Sequence, residues 1–368
     1  MTDGSAGASL TFTQEPHPGL VDANERARLL ENPGFGRVFT DHMVTIRYNE
    51  EQGWHDARVQ PRAPFQMDAS SAVLHYAQEI FEGMKAYRLA DGGTALFRPE
   101  ANAARFRSSA QRMAMAELPE ELFLESIRQL VKIDHDWIPT SDGGSLYLRP
   151  FMIASEVFLG VKPSAEYLYA VIASSVGAYF KGGASAVSLW VSEDYTRAAP
   201  GGTGAAKCGG NYATSLVAQK EAILQGCDQV LFLDAAERRW IEELGGMNIF
   251  FVFDDGTIST PPLTGTILPG ITRDSILKLA KDMGLTAREE PYSIEQCRAD
   301  AESGRLVEAF ACGTAAVVAP IAQMKMRGGD FTIGTGGPGQ TTLRMLNSLT
   351  DIQRGKAPDP HGWVERLD

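Results

Sequence analysis

Cysteine is scarce in this chain of 368 residues. The four present, Cys208, Cys227, Cys297 and Cys312, never stand in C-x-x-C spacing. That excludes a local structural zinc site and a disulfide-built scaffold, and it fits reduced thiols in a cytoplasm. The six histidines form no H-x-x-x-H pair, so the sequence announces no metal centre. No stretch approaches the roughly 18 consecutive apolar residues of a membrane span. Residues 1–20 are polar and lack the apolar centre of a signal peptide. Positive charge is also short: 34 Lys and Arg stand against 46 Asp and Glu, for a net charge of −12. Phosphate-rich partners need basic surface, so nucleic acid and anionic membrane are not expected as partners. Small anions stay open, because local groups capture them. These absences predict a soluble cytoplasmic protein.

What is present is ordinary globular material, 44% hydrophobic and 22% charged, long enough for two domains. A short helix is expected near Asn24 to Glu31. Strand-like runs follow in "HMVTIRYNE", "TALFRP", "SLYLRPFMIAS" and "YLYAVIASS". Between them, "PEELFLESIRQLVKID" repeats Leu122, Phe123, Ile127, Leu130 and Val131 at helical spacing. "SSVGAYFKGG" carries three glycines between strand runs, which suggests a connector over 176–185 between domains 1–175 and 186–368. The second half reads as strand "AVSLWVSED", one helix "NYATSLVAQKEAILQG" closing at Gly226, strands "QVLFLD" and "NIFFVFDDGTIST", and an amphipathic helix "ITRDSILKLAKDMG". The alternation predicts two mixed α/β domains.

The stretch "GGTGAAKCGGNYA" brings one lysine, Lys207, into a neighbourhood of glycines. It is no P-loop, because Ala206 precedes the lysine and Cys208 follows it. A lysine among small residues suits Schiff-base chemistry, where its amine must come close to a planar aldehyde. Pyridoxal 5'-phosphate sets three further demands: an acid for the ring nitrogen, anion sites for the phosphate and a donor for the ring oxygen. Glu242 and Glu243 in "IEELGGMN", Gly270, Ile271 and Thr272 in "LPGITRD", Gly313 and Thr314 in "ACGTAA", and Tyr212 are candidates. Each has a plainer reading. A lysine in such a loop is commonly solvated, and Gly-x-Thr at a helix start is commonly a simple cap.

Taken in order, the segments "FGRVFTDHM", "LHYAQEIFEGMKAYR", "LYLRPF", "GGTGAAKCGGNYA", "EELGGMNIFF", "LPGITR" and "CGTAAVV" resemble the fold-type IV pyridoxal-phosphate aminotransferases. The match is close to the branched-chain amino-acid aminotransferases, over nearly the whole chain. The resemblance implies a two-domain α/β architecture with the second domain carrying the lysine and the phosphate cup. It implies that Lys207 holds the cofactor aldehyde and acts as the general acid and base. Glu243, rather than Glu242, aligns with the acid at the ring nitrogen, and Tyr212 with the group at the ring oxygen. Arg105, Ile271, Thr272 and Thr314 align with the phosphate site. Phe35, Tyr76, Phe81, Tyr147, Arg149, Tyr179, Gly246 and Ala315 align with substrate positions. Relatives of this type build each site across a homodimer interface.

The implied reaction is reversible amino transfer between leucine, isoleucine or valine and 2-oxoglutarate. An arginine at position 149 makes it chemically sensible for one pocket to take an apolar side chain and also the γ-carboxylate of glutamate. Two departures stand out. Gly246 replaces the threonine of mammalian relatives, leaving only backbone amides there. Residues 315–319 are AAVVA where those relatives carry C-x-x-C, which excludes a thiol switch at that turn. D-amino-acid aminotransferase, aminodeoxychorismate lyase and a cofactor-free binding protein are the competing readings.

Overall fold

The computed structural model describes residues 10–177 and 186–367. Most of the connector expected over 176–185, and with it Tyr179, lies outside the described residues. The chain divides into two compact units, Met1–Ala178 with Glu365–Asp368, and Tyr179–Val364.

In the first unit the expected strands form at His42–Asn49, Thr94–Phe97, Ser145–Ala154 and Glu166–Val176. They belong to a sheet of ten strands among the described residues. Ser145–Ala154 and Glu166–Val176 pair antiparallel over their whole length, from Ser145↔Val176 to Ala154↔Tyr167. Side chains alternate faces along a strand. Leu146, Leu148 and Met152 are fully buried, which commits Tyr147, Arg149 and Phe151 together to the other face. The helices Pro99–Arg112 and Glu120–Ile133 supply Phe106 and Phe123, whose rings meet Tyr169 of the neighbouring strand. Burying each such ring contributes about 1.5–3 kcal/mol. The apolar spacing read for 119–134 is therefore the core-facing stripe.

The second unit centres on Val187–Ser192, which pairs parallel with Gln229–Leu233 on one side and Val317–Lys325 on the other. Antiparallel pairs, Asn248–Phe253 with Leu306–Gly313 among them, extend it to nine strands among the described residues. Leu189, Val191, Leu231, Ile249 and Phe251 form its core. The amphipathic helix lies at Ile271–Asp282.

One expectation is corrected. The helix read continuously from "NYATSLVAQKEAILQG" is two, Gly209–Ala213 and Leu216–Leu224. The hydroxyls of Thr214 and Ser215 donate to the carbonyls of Asn211 and Tyr212, an alternative to helical pairing that breaks the run. The buried face of the second helix is Ala218 and Ala222, while Leu216, Ile223 and Leu224 point outward. Small residues let this helix lie close to Val230 and Phe232. Gly226 does end it, at φ +69°.

Candidate active site

In the second unit the glycine stretch is tied down from inside. The Asn211 side chain donates to the carbonyls of Thr203 and Ala206, both at 2.8 Å, and accepts from Thr203 Oγ1 at 2.7 Å. Gly204 lies against Thr266, where a Cβ atom would overlap the Thr266 carbonyl. Gly204 serves close backbone approach. Lys207, which follows this loop, is partly buried, and its Nζ donates to the Tyr212 hydroxyl at 3.0 Å. Tyr212 comes from the short helix that starts two residues after the lysine.

The two acids of "IEEL" occupy adjacent positions on the strand Ile241–Leu244 and so face opposite ways. Glu242 accepts from Thr266 Oγ1. Glu243 is fully enclosed: Oε1 accepts from the Leu268 amide at 2.9 Å and ion-pairs with Arg197 Nη1 at 2.8 Å, and Oε2 accepts from Asn248 Nδ2 at 3.1 Å. Burial pushes its carboxyl up to about 7, against the pull of Arg197, the Leu268 amide and Lys207. Glu242 is raised as well, again mainly by burial.

Ile271 and Thr272 open a helix of 12 residues whose cap residue, Gly270, has no side chain to offer its first amides. With the helix dipole, such an end attracts an anion. Thr314 and Ala315 lie in the turn between Leu306–Gly313 and Val317–Lys325. Val317, which closes that turn, sits at φ +63°. That conformation is costly for a β-branched residue, so the surrounding sheet holds the turn in place. A Cβ on Gly313 would meet Gly246 O at 3.7 Å, and one on Gly246 would meet Tyr212 Cε1 at 3.6 Å. These contacts bring Lys207, Tyr212, Gly246 and the 313–317 turn into one neighbourhood.

The first unit holds the remaining candidates. Arg105 is buried, not a solvated helix charge, and forks onto Glu82: Nε to Oε1 at 2.7 Å, Nη2 to Oε2 at 2.9 Å. Asn102 Nδ2 also donates to Glu82, at 2.7 Å. The Arg149 guanidinium lies 4.9 Å from the Phe81 ring centre and 5.5 Å from that of Tyr147, whose hydroxyl accepts from Nη2 at 3.4 Å. Phe35 meets Tyr147 edge-on at 5.1 Å. Arg149 Nε is buried with no hydrogen-bond partner, an unused donor in an aromatic cluster. Tyr76 sits apart from this cluster: its hydroxyl accepts from the Gly160 amide and its ring stacks on Phe158.

The family model described as class IV amino-transferase matches residues 79–324. The chain belongs to the class IV aminotransferases. It is 55% identical to the branched-chain-amino-acid aminotransferase of Mycolicibacterium smegmatis, over 98% of this chain and 99% of that one. Among solved structures it is similar to the T.th. branched-chain amino acid aminotransferase with pyridoxamine 5'-phosphate, at 30% identity and TM-score 0.73, covering 88% of this chain and 98% of that one. The same enzyme complexed with N-(5'-phosphopyridoxyl)-L-glutamate matches at 28% identity and TM-score 0.70, over the same shares.

Class IV aminotransferases use pyridoxal 5'-phosphate, and the groups present in the second unit suit it. A partly buried amine stands beside a phenol, an enclosed carboxylate keeps an acceptor position open on Oε2 among the described residues, and a helix start lacks a side-chain cap. Sequence reasoning missed Arg197, Asn248 and Glu82. "DYTRAAP" carries no periodicity or motif that separates Arg197 from a surface charge, and burial alone reveals it.

Proposed function

We propose that this chain catalyses reversible amino transfer between L-leucine, L-isoleucine or L-valine and 2-oxoglutarate. The observation that carries it is the grouping of Lys207, Tyr212 and Glu243 in one unit, with the lysine amine on the phenol and its charge felt by the buried acid. When bound, the cofactor supplies an electron sink for charge developing at the substrate α-carbon. Lys207 Nζ anchors the cofactor and then carries a proton to and from that carbon. Tyr212 donates to the ring oxygen, and Glu243 holds a proton at the ring nitrogen. The first amides of the helix at Ile271 and Thr272, the Thr314 hydroxyl and the Arg105 guanidinium are assigned to the phosphate.

Arg149 is assigned to the side-chain carboxylate of glutamate, with Phe35, Phe81, Tyr147 and Tyr179 taking an apolar side chain and Tyr76, Gly246 and Ala315 completing the substrate groups. A relative complexed with a phosphopyridoxyl-L-glutamate supports glutamate as one substrate. We further propose a cytoplasmic homodimer. No helix among the described residues is long and apolar enough to cross a membrane.

The test is Lys207→Ala. Losing a covalent nucleophile removes many orders of magnitude in rate, so turnover and the cofactor's visible band should vanish together. A variant that kept substantial turnover with 2-oxoglutarate would sink the assignment.

A further inference from the structure

We propose that Arg197 is a positioning residue of this active site, fixing the Glu243 carboxylate and the Lys207 loop in one frame so that a single oxygen of Glu243 is left for the cofactor's ring nitrogen. The inference rests on the assignment of Glu243 to that nitrogen made above.

A carboxylate offers about four acceptor positions. On Glu243, Oε1 takes the Leu268 amide and lies against Arg197 Nη1 as an ion pair, and Oε2 takes one donor, from Asn248. Oε2 keeps an unfilled position among the described residues, while Arg197 crowds Oε1. Arg197 achieves this by approaching through one nitrogen, not as a two-pronged fork. The hydrogens of this same Nη1 go to Thr266 O at 3.1 Å and Gly204 O at 3.4 Å, so it meets the carboxylate as an ion pair. Gly204 belongs to the loop that ends in Lys207, and Thr266 lies just ahead of the helix at Ile271–Asp282. One guanidinium nitrogen thus joins the acid, the lysine loop and the approach to the phosphate helix.

The arrangement is made at a cost. Arg197 is 4% exposed, and its Nε has no hydrogen-bond partner. An arginine placed only to neutralise Glu243 would gain from a bidentate contact that uses this donor. The observed geometry gives that up and keeps Oε2 open. Lys207, Glu242 and Cys312 are the other titratable groups acting on Glu243. Lys207 is the only cation among them, and in the loaded enzyme its amine is committed to the cofactor. Arg197 is then the permanent counter-charge.

The experiment reconstitutes the holoenzyme with cofactor labelled with nitrogen-15 in the ring and reads the ring resonance by NMR beside steady-state kinetics. In Arg197→Met the resonance should move toward the unprotonated position. kcat should fall on the order of a hundredfold, the scale of losing one preorganised electrostatic group, with KM changed far less. Arg197→Lys keeps the charge but not the planar reach to two carbonyls and the carboxylate at once, so it should move the resonance part of the way. It also serves if the methionine variant does not fold. Glu243→Gln separates the two readings. If it leaves the resonance unmoved, Glu243 does not face the ring nitrogen and both fall. If Glu243→Gln moves it while neither Arg197 variant does, the role given to Arg197 alone is overturned.

Discussion

At the scale of single residues, environment gives identical side chains different work. Glu242 and Glu243 are neighbours, yet Glu243 takes an arginine, a backbone amide and an asparagine where Glu242 takes the Thr266 hydroxyl. Its carboxyl stands at about 7, above the ordinary 4.5. A carboxyl raised on folding holds its proton more tightly in the native state, so its contribution is complete below 4.5 and is lost as pH rises through about 7. The cofactor-free protein should therefore lose stability across that window, and Glu243→Gln should flatten the slope. Urea midpoints at about pH 5 and about pH 8 measure it. An equal slope in both proteins would mean that Glu243 is not titrating there. Arg149 invites a different test. Its unused Nε and aromatic surroundings suit a carboxylate, which would be prohibitively costly to bury unpaired. Arg149→Met should raise KM for glutamate and 2-oxoglutarate on the order of tenfold, from a lost contact of about 1.5–3 kcal/mol. Values for leucine and its keto acid should stay near the original. Equal slowing of both half-reactions would reduce Arg149 to an architectural role.

At the scale of elements, the loop before Lys207 is the most constrained piece of the second unit. Gly204→Ala must push the Thr266 segment away and should cost about 1–3 kcal/mol, as overpacking does. Gly210, three residues after the lysine, has nothing within 4 Å of an added Cβ and lies in a helix. Gly210→Ala should therefore be neutral or stabilising by about 0.5–1 kcal/mol. Thermal melting of the pair decides it: matching midpoints would show that the close approach at Gly204 carries no energetic weight. The strand Ser145–Ala154 was legible because period-two alternation is a strong local signal. The break at Thr214–Ser215 was not, because it depends on two hydroxyls choosing carbonyls over water.

At the scale of the whole molecule, the first unit exposes Val157, Leu159 and Val161, the last at 94%, beside Tyr76. Contiguous exposed apolar side chains mark interaction surfaces, and we expect a second copy of the chain to cover them. Sedimentation at micromolar concentration should give a dimer, and Leu159→Asp should shift it toward monomer. A wild-type protein that sediments as a monomer throughout would refute the homodimer.

What the sequence by itself determined were the features written in local periodicity and ordered motifs. These were the sheet strands, the stripe of Glu120–Ile133, the helix start at Ile271, and Lys207 with Tyr212 five residues on. Neighbours in sequence are held at short range by the backbone, so their chemistry can be read along the chain. The tertiary structure alone decided which partners each acid takes, why Gly204 must lack a side chain, and that Arg105 and Arg197 are buried partners rather than surface charges. Each of these depends on a partner far along the chain, as Arg197 on Glu243 and Gly204 on Thr266. An ion pair or a steric contact of that kind leaves no period in the sequence. It exists only once the sheet has closed around it.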